Sequence, residues 1–366
     1  MTADVTERDG GLGPGLRVRG RGALDNASGR YEHTRRSTFD DGWDLPEEAR
    51  LLRTEVRLET PRSALSWNRS PDLPFDRSVN PYRGCEHGCV YCFARPTHAW
   101  LGLSAGLDFE TRLVARPGIG AVLAREIGRK SYRVGPVALG TNTDPYQPCE
   151  AQHRVMREVL EVLAAWNHPT AITTKGALIE RDLDLLAPMA AQGLVRVGIS
   201  VTTLDPDLSR SLEPRCPLPA RRLEVIRRLS DAGVPVRVMV SPVIPGLTDP
   251  ELEAILAAAR SAGAVAASWI MLRLPLEVAP MMEAWLRAKQ PGRADKVLAR
   301  IRDVHGGRAY DPQWGKRMRG QGLWSDLIAQ RFDKAIARLG LTVAQPPLRC
   351  DLFRPPEAPG DQMSLF

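Results

Sequence analysis

Thr170-Ala171-Ile172-Thr173-Thr174-Lys175-Gly176 opens the stretch that decides the fold, because it leads through a helical apolar period at 178–192 into Val195-Arg196-Val197-Gly198-Ile199-Ser200-Val201. Two short runs rich in β-branched and apolar residues, separated by one helix, read as a strand–helix–strand unit. A crossover of that kind joins parallel strands and is right-handed. Outward from this unit the alternation repeats, with strands expected at 137–139, 236–240 and 265–272. The stretch 153–165 carries Val155, Val159, Leu160 and Leu163 on one helical face. Helices at 219–232 and 250–262 stop just before Gly233 and Gly263, where a left-handed cap belongs. Five or six such units across 61–305 make an α/β fold, a partial (β/α)6 barrel rather than a doubly wound sheet. In that architecture chemistry gathers at the C-terminal ends of the strands.

The remaining segments flank this unit. Residues 1–60 read as a flexible N-terminal extension: Gly and Arg dominate 10–29 and no apolar period is sustained. A loose tether and an Arg-Gly arm on nucleic acid are both open readings of it. Residues 306–340 form a basic and aromatic loop and a C-terminal helical segment, with an amphipathic helix at 325–339. Residues 341–366 are a Pro-rich linker, with Arg354-Pro355-Pro356-Glu357-Ala358-Pro359-Gly360, followed by a terminal peptide.

Of 366 residues, 43% are hydrophobic, enough for a sizeable core. No apolar run approaches the roughly 20 residues of a membrane span. The opening Met1-Thr2-Ala3-Asp4 shows neither a basic nor an apolar leader, so a cytoplasmic protein with no membrane contact is expected. The net charge of +7 permits an acidic partner such as DNA. Since nearly all the positive charge is Arg, GC-rich coding accounts for it equally well.

Six cysteines stand at 85, 89, 92, 149, 216 and 350, and three crowd into Gly84-Cys85-Glu86-His87-Gly88-Cys89-Val90-Tyr91-Cys92-Phe93. A secreted disulfide framework would be spread more evenly. Three thiolates from one tight loop are soft ligands for three corners of an iron–sulfur cubane, leaving the fourth iron open. A Cys3His zinc site completed by His87 or His98 is the competing donor set.

The C-x3-C-x2-C spacing, with aromatic Tyr91 before the last cysteine, resembles the signature of radical S-adenosylmethionine enzymes. Two further stretches, Asn80-Pro81-Tyr82-Arg83-Gly84-Cys85 and Thr143-Asp144-Pro145-Tyr146-Gln147-Pro148, are similar to the spore-photoproduct-lyase-like branch. The resemblance implies a partial or complete barrel whose cluster loop follows the first strand. It implies a [4Fe–4S] cluster on Cys85, Cys89 and Cys92, with S-adenosyl-L-methionine chelated at the open iron and cleaved to a 5′-deoxyadenosyl radical. Tyr91, Thr143, Lys175, Ser200 and Arg215 become candidate cofactor contacts. A lone Lys175 ending an apolar strand suits a carboxylate, or else snorkels to the surface. Thr143 and Ser200 read equally as turn caps. Glu213 and Arg215 either reach the cofactor or pair with each other.

The resemblance also breaks. Where spore photoproduct lyases carry a hydrogen-donating cysteine, this chain has Thr141, and the nearest thiol is Cys149, which reads as a displaced donor or a small apolar residue opening a helix. Phe93 replaces an expected tyrosine, and Cys216 and Cys350 have no evident partner. These departures argue against repair of the spore thymine dimer itself. The terminal Gln362-Met363-Ser364-Leu365-Phe366 is similar to the peptide by which bacterial repair proteins dock on the sliding clamp. Arg308, Lys316, Arg317, Arg319 and Arg331 interleave with Tyr310, Trp314 and Trp324, a composition that suits nucleic acid or a solvated loop. The expectation is a radical enzyme acting on a DNA base, fed by an electron donor such as flavodoxin or ferredoxin. RNA, a peptide or a small molecule is the second substrate reading. A non-catalytic, metal-stabilised clamp-binding module is the third.

Overall fold

The computed structural model describes residues 20–32 and 52–356. Period-two burial in the strands sets its layers. In the strand Thr170–Thr174, positions 170, 172 and 174 are buried while 171 and 173 are half-buried. The strand Val236–Val243 begins with the same alternation. One face of the sheet therefore lies under helices, and the other lines a cavity.

Among the described residues ten strands run in chain order: β1 Glu55–Leu58, β2 Leu65–Trp67, β3 Arg77–Val79, β4 Tyr82–Arg83, β5 Arg112–Ala115, β6 Val137–Leu139, β7 Thr170–Thr174, β8 Val195–Ser200, β9 Val236–Val243 and β10 Ala266–Met271. Seven form one sheet in the order β10-β9-β8-β7-β6-β3-β2. From β3 to β10 every neighbouring pair is parallel, and β2 is antiparallel to β3. The order never reverses, so every right-handed crossover falls on the same face of the sheet. That is the topology of an open (β/α)6 barrel, and no pairing closes it between β2 and β10 among the described residues. A second, small sheet places β5 between β1 and β4.

The expected strands are present at 137–139, 170–174, 195–200, 236–243 and 266–271. The first parallel strand, β3, was not foreseen: it is three residues long, and Arg77 and Ser78 disguise it. Helix 153–165 divides at Arg154, which takes φ +53° between Glu150–His153 and Val155–Ala165. Helix 178–192 begins as a 3-10 turn, Ala177–Asp182, and becomes α-helical only over Leu183–Ala191. Pro219–Asp231 and Leu252–Ser261 end as expected, with Gly233 and Gly263 at φ +77° and +103°.

Two helices beyond the barrel, Val278–Lys289 and Ala294–Val304, supply Trp285, Leu286, Val297 and Ile301 to a second apolar core. That core also contains Val90 and Tyr91, so it supports the cysteine loop from beneath. The last helix among the described residues, Leu323–Leu339, packs on Leu252–Ser261. Beyond it, Thr342 joins the edge of β10 through backbone hydrogen bonds with Val265 and Ala267.

Part of the segment read as a flexible extension is firmly placed. Arg21 and Ala23 are buried, and residues 55–58 form β1. The buried Glu110 and the pairing of β1 with β5 hold this segment, so its lack of an apolar period concealed the attachment. Residues 1–19 and 33–51, and the terminal peptide 362–366, lie outside the described residues.

Candidate functional site

The three clustered cysteines follow β4 on a loop whose backbone is fastened on several sides. Cys85 N–H donates to Phe109 O at 2.9 Å, and Val90 N–H donates to Leu212 O at 3.0 Å. The fully buried Arg95 guanidinium reaches Gly88 O, Cys89 O, Ala105 O and Gly106 O, and pairs with the fully buried Glu110 carboxylate at 2.5 Å. Glu110 also accepts the Gly22 and Ala23 N–H groups at 2.9 and 2.8 Å. Here residue 22 must be glycine, since a Cβ would stand 1.8 Å from Gly88 O.

The two stretches that flank the motif clasp one another. Thr143 Oγ1 donates to Tyr82 O at 3.0 Å. Gln147 accepts Glu86 N–H at 2.7 Å and donates to Gly84 O at 3.3 Å. The Tyr82 hydroxyl donates to Glu150. Asp144 accepts from Tyr146 N–H, Thr174 Oγ1 and Lys175 N–H, and faces His87 Nδ1 at 3.3 Å. Burial alone would raise the Asp144 pKa, but His87 and these donors hold it at about 2. The 143–148 stretch thus aligns the end of β7 with the cysteine loop.

Cys89, Tyr91, Cys92, Lys175 and Ser200 meet at a cavity of about 170 Å3, over the C-terminal ends of β7, β8 and β9. The Lys175 ammonium lies 5.9 Å from the Tyr91 ring centre. It makes no ion pair or hydrogen bond among the described residues. The Tyr91 hydroxyl is taken up by Glu213, which also accepts from Thr202 Oγ1 at 2.8 Å and pairs with the buried Arg222. Burial would raise the Glu213 pKa, yet Arg222 and Lys175 hold it at about 2. Burial, then the adjacent Glu213, pushes the Tyr91 pKa well up. Tyr91 therefore stays neutral, a wall between a buried ion pair and the cavity.

The thiols fit an iron–sulfur cluster. They are soft, come from one loop, and two of them face a cavity that, among the described residues, no other Cys, His, Asp or Glu lines. Among the described residues no group of three or more His, Cys, Asp or Glu side chains is placed to hold a single metal ion. A cubane instead spreads its thiolates over separate irons. His87 is engaged by Asp144, and buried His98 packs edge-on against Phe109; among the described residues neither is grouped with the cysteines around a single metal ion.

Not every candidate reaches this cavity. Thr143 spends its hydroxyl on the Tyr82 carbonyl. Arg215 pairs with Glu86 at 2.7 Å rather than with Glu213, and lines a separate surface pocket. Cys149 precedes the helical turn Glu150–His153 and packs against the main core, away from the cavity. Burial, then the nearby Glu86 and Glu150, pushes the Cys149 pKa up. Cys216, which showed no partner in the sequence, has its sulfur 3.8 Å from that of Cys89. Sequence reasoning also missed Arg95, Glu110 and Arg222. The available signal was a charged residue inside an otherwise apolar helix or loop, too common to single these out. Among the basic and aromatic residues of 306–340, Arg317 pairs with Asp72 and Arg331 with Glu253. Arg308 and Trp314 remain exposed.

A family model described as the Radical SAM superfamily matches residues 79–259. An uncharacterized protein of Mycobacterium tuberculosis (strain H37Rv) is 41% identical over 256 residues, spanning 69% of this chain and 74% of that protein. An uncharacterized protein of Methanocaldococcus jannaschii is 24% identical, over 47% of this chain and 62% of its own length. Among solved structures, spore photoproduct lyase complexed with dinucleoside spore photoproduct matches with a TM-score of 0.54 and 14% identity, over 79% of this chain and 81% of that one. A mutant of that lyase with bound AdoMet and the dinucleoside matches with a TM-score of 0.50 and 15% identity. At these identities the structures share a fold with this chain.

Proposed function

Because the chain belongs to the radical S-adenosylmethionine superfamily and is an enzyme of that class, we propose that it acts on a base in DNA, repairing or modifying it, with a [4Fe–4S] cluster on Cys85, Cys89 and Cys92. The observation that carries the site assignment is the unpaired Lys175 ammonium in the same cavity as Cys89 and Cys92. When bound, the cluster and S-adenosyl-L-methionine supply a 5′-deoxyadenosyl radical that takes a hydrogen atom from substrate. Lys175 holds the methionine carboxylate by charge, and Ser200 offers a hydroxyl at the end of β8. The Tyr91 ring, fixed through Glu213, shields that space from water. Thr143 and Arg215 serve from outside, fastening the loop through Tyr82 and Glu86.

Support for DNA comes from the basic composition and from the shared fold with a lyase solved with a dinucleoside lesion. Thr141 and the placement of Cys149 support a lesion or modification other than the spore photoproduct. A flavodoxin- or ferredoxin-like donor is the proposed electron source, and the reducing cytoplasm the proposed location. No helix among the described residues is long and apolar enough to cross a membrane. The test uses anaerobically reconstituted, reduced protein with S-adenosyl-L-methionine. DNA carrying ultraviolet or oxidative lesions is expected to raise 5′-deoxyadenosine formation several-fold above RNA or peptide. Equal rates with and without DNA would remove this substrate.

The peptide 362–366, borne on its Pro-rich linker, is proposed to dock on the bacterial sliding clamp. Deleting 362–366 is expected to abolish co-purification with the clamp and leave S-adenosyl-L-methionine cleavage intact. Retention of clamp binding by the truncated chain would contradict that role.

A further inference from the structure

The triplets Val195-Arg196-Val197 and Val236-Arg237-Val238 each place an arginine between two buried valines. The valines face the helices, so the pleat turns both guanidinium groups to the inner face of the barrel. Gly198 of β8 is in register with Arg237 of β9, so Arg196 and Arg237 are diagonal neighbours on adjacent strands. Both line one inner cavity of about 530 Å3.

Among the described residues no free negative charge in that cavity matches them. Arg196 has no hydrogen bond or ion pair among the described residues. Arg237 donates to Ala267 O, Val343 O and the Gln345 amide oxygen, all neutral. Among the described residues Asp72 is the only carboxylate that lines the cavity, and both its oxygens are held by Arg317, at 2.7 and 2.5 Å. Arg319 adds a further cation at the exposed rim, stacked 4.6 Å over Trp269. Thr173, Met239 and Ile270 are shared with the cavity of Cys89, Cys92 and Lys175, so the two spaces adjoin. Arg273, which lines the cysteine cavity, stacks 4.6 Å over Phe93, and its buried Nε has no acceptor among the described residues. Half-buried like charges on adjacent strands destabilise a sheet unless an anion offsets them.

We propose that this cavity is the substrate site and that Arg196 and Arg237 hold a phosphate of the substrate, with its reacting part directed toward Lys175 and the cysteines. The assignment rests on the DNA reading for the identity of that substrate, and on the cavity alone for its charge. Guanidinium groups suit phosphate oxygens because they donate in parallel pairs. Arg319 guides the incoming anion at the rim, and the Asp72–Arg317 pair fastens the β2–β3 loop across the mouth.

The test is calorimetric binding to the anaerobically reconstituted holoenzyme with S-adenosyl-L-methionine. The probes are thymidine dinucleotide with one phosphodiester, its neutral methylphosphonate analogue, uridine dinucleotide and inorganic pyrophosphate. The phosphodiester is expected to bind at least about tenfold more tightly than the methylphosphonate, the worth of one charge-assisted contact. Arg196→Met and Arg237→Met, which keep the aliphatic stem, are expected to remove that preference. Arg196→Met, which loses no hydrogen bond among the described residues, should melt at or above wild type, while Arg237→Met, which loses its bonds to Ala267 O, Val343 O and Gln345, should melt somewhat lower. Equal affinity for charged and neutral probes, variants that bind like wild type, or no binding of any phosphate probe at millimolar concentration would overturn the assignment. Pyrophosphate and uridine dinucleotide binding as tightly as thymidine dinucleotide, and weakening in Arg196→Met, would uphold the anion site while removing the DNA reading.

Discussion

Glu110→Ala is expected to lower stability by roughly 3–5 kcal/mol, the usual cost of stranding one partner of a buried ion pair, and to loosen the cysteine loop in the same step. Both Arg95 and Glu110 are fully buried. Removing the carboxylate leaves the Arg95 charge with backbone carbonyls alone, and strips the Gly22 and Ala23 N–H groups of their acceptor. The N-terminal segment then detaches from the very turn that presents Cys89. Chemical denaturation should show the loss of stability, and iron per chain after reconstitution should fall with it. Glu110→Gln keeps one acceptor oxygen and should fall between the two. Wild-type stability in Glu110→Ala would show that the backbone carbonyls suffice to hold Arg95.

The second large effect is expected of Cys89→Ala. Two thiolates hold a cubane poorly, so iron should drop from about four per chain to a small residue. The fold should persist, because the Cys89 backbone bond to Arg95 is untouched and alanine is smaller than the side chain it replaces. Far-ultraviolet circular dichroism checks the fold, and iron analysis checks the site. Cys350→Ala, a thiol remote from the cavity, should retain full iron. A Cys89→Ala protein that keeps its iron would mean that another group, with Cys216 foremost at 3.8 Å, takes over as ligand.

How far the sequence could be read depended on the kind of interaction. Strands β6 to β10 stood out because each is a short run rich in β-branched or apolar residues, and β6 and β7 agree residue for residue with expectation. Strand β3 did not, because a three-residue strand with Arg77 leaves no period to count. The cysteine trio was legible because its spacing is local. Lys175 was legible because a charge ending an apolar strand is conspicuous. Thr143 and Arg215 lie in the right loops, but their side chains turn to Tyr82 and Glu86, and loop membership says nothing about side-chain direction. Glu110 and Gly22 are 88 residues apart in sequence, and no local pattern announces such a contact. Arg196 and Arg237 carried a readable signal, an arginine at the inward position of a buried parallel strand, whose meaning depends on what shares the cavity.

Cys85, Cys89, Cys92 and Lys175 are proposed to form a site for radical cleavage of S-adenosyl-L-methionine. The most direct measurement is chromatographic detection of 5′-deoxyadenosine after anaerobic reconstitution, chemical reduction and addition of S-adenosyl-L-methionine. Formation of 5′-deoxyadenosine that disappears in Cys89→Ala and falls steeply in Lys175→Met is the predicted result. Tightly bound zinc in place of iron, with no 5′-deoxyadenosine under any reductant, would contradict it.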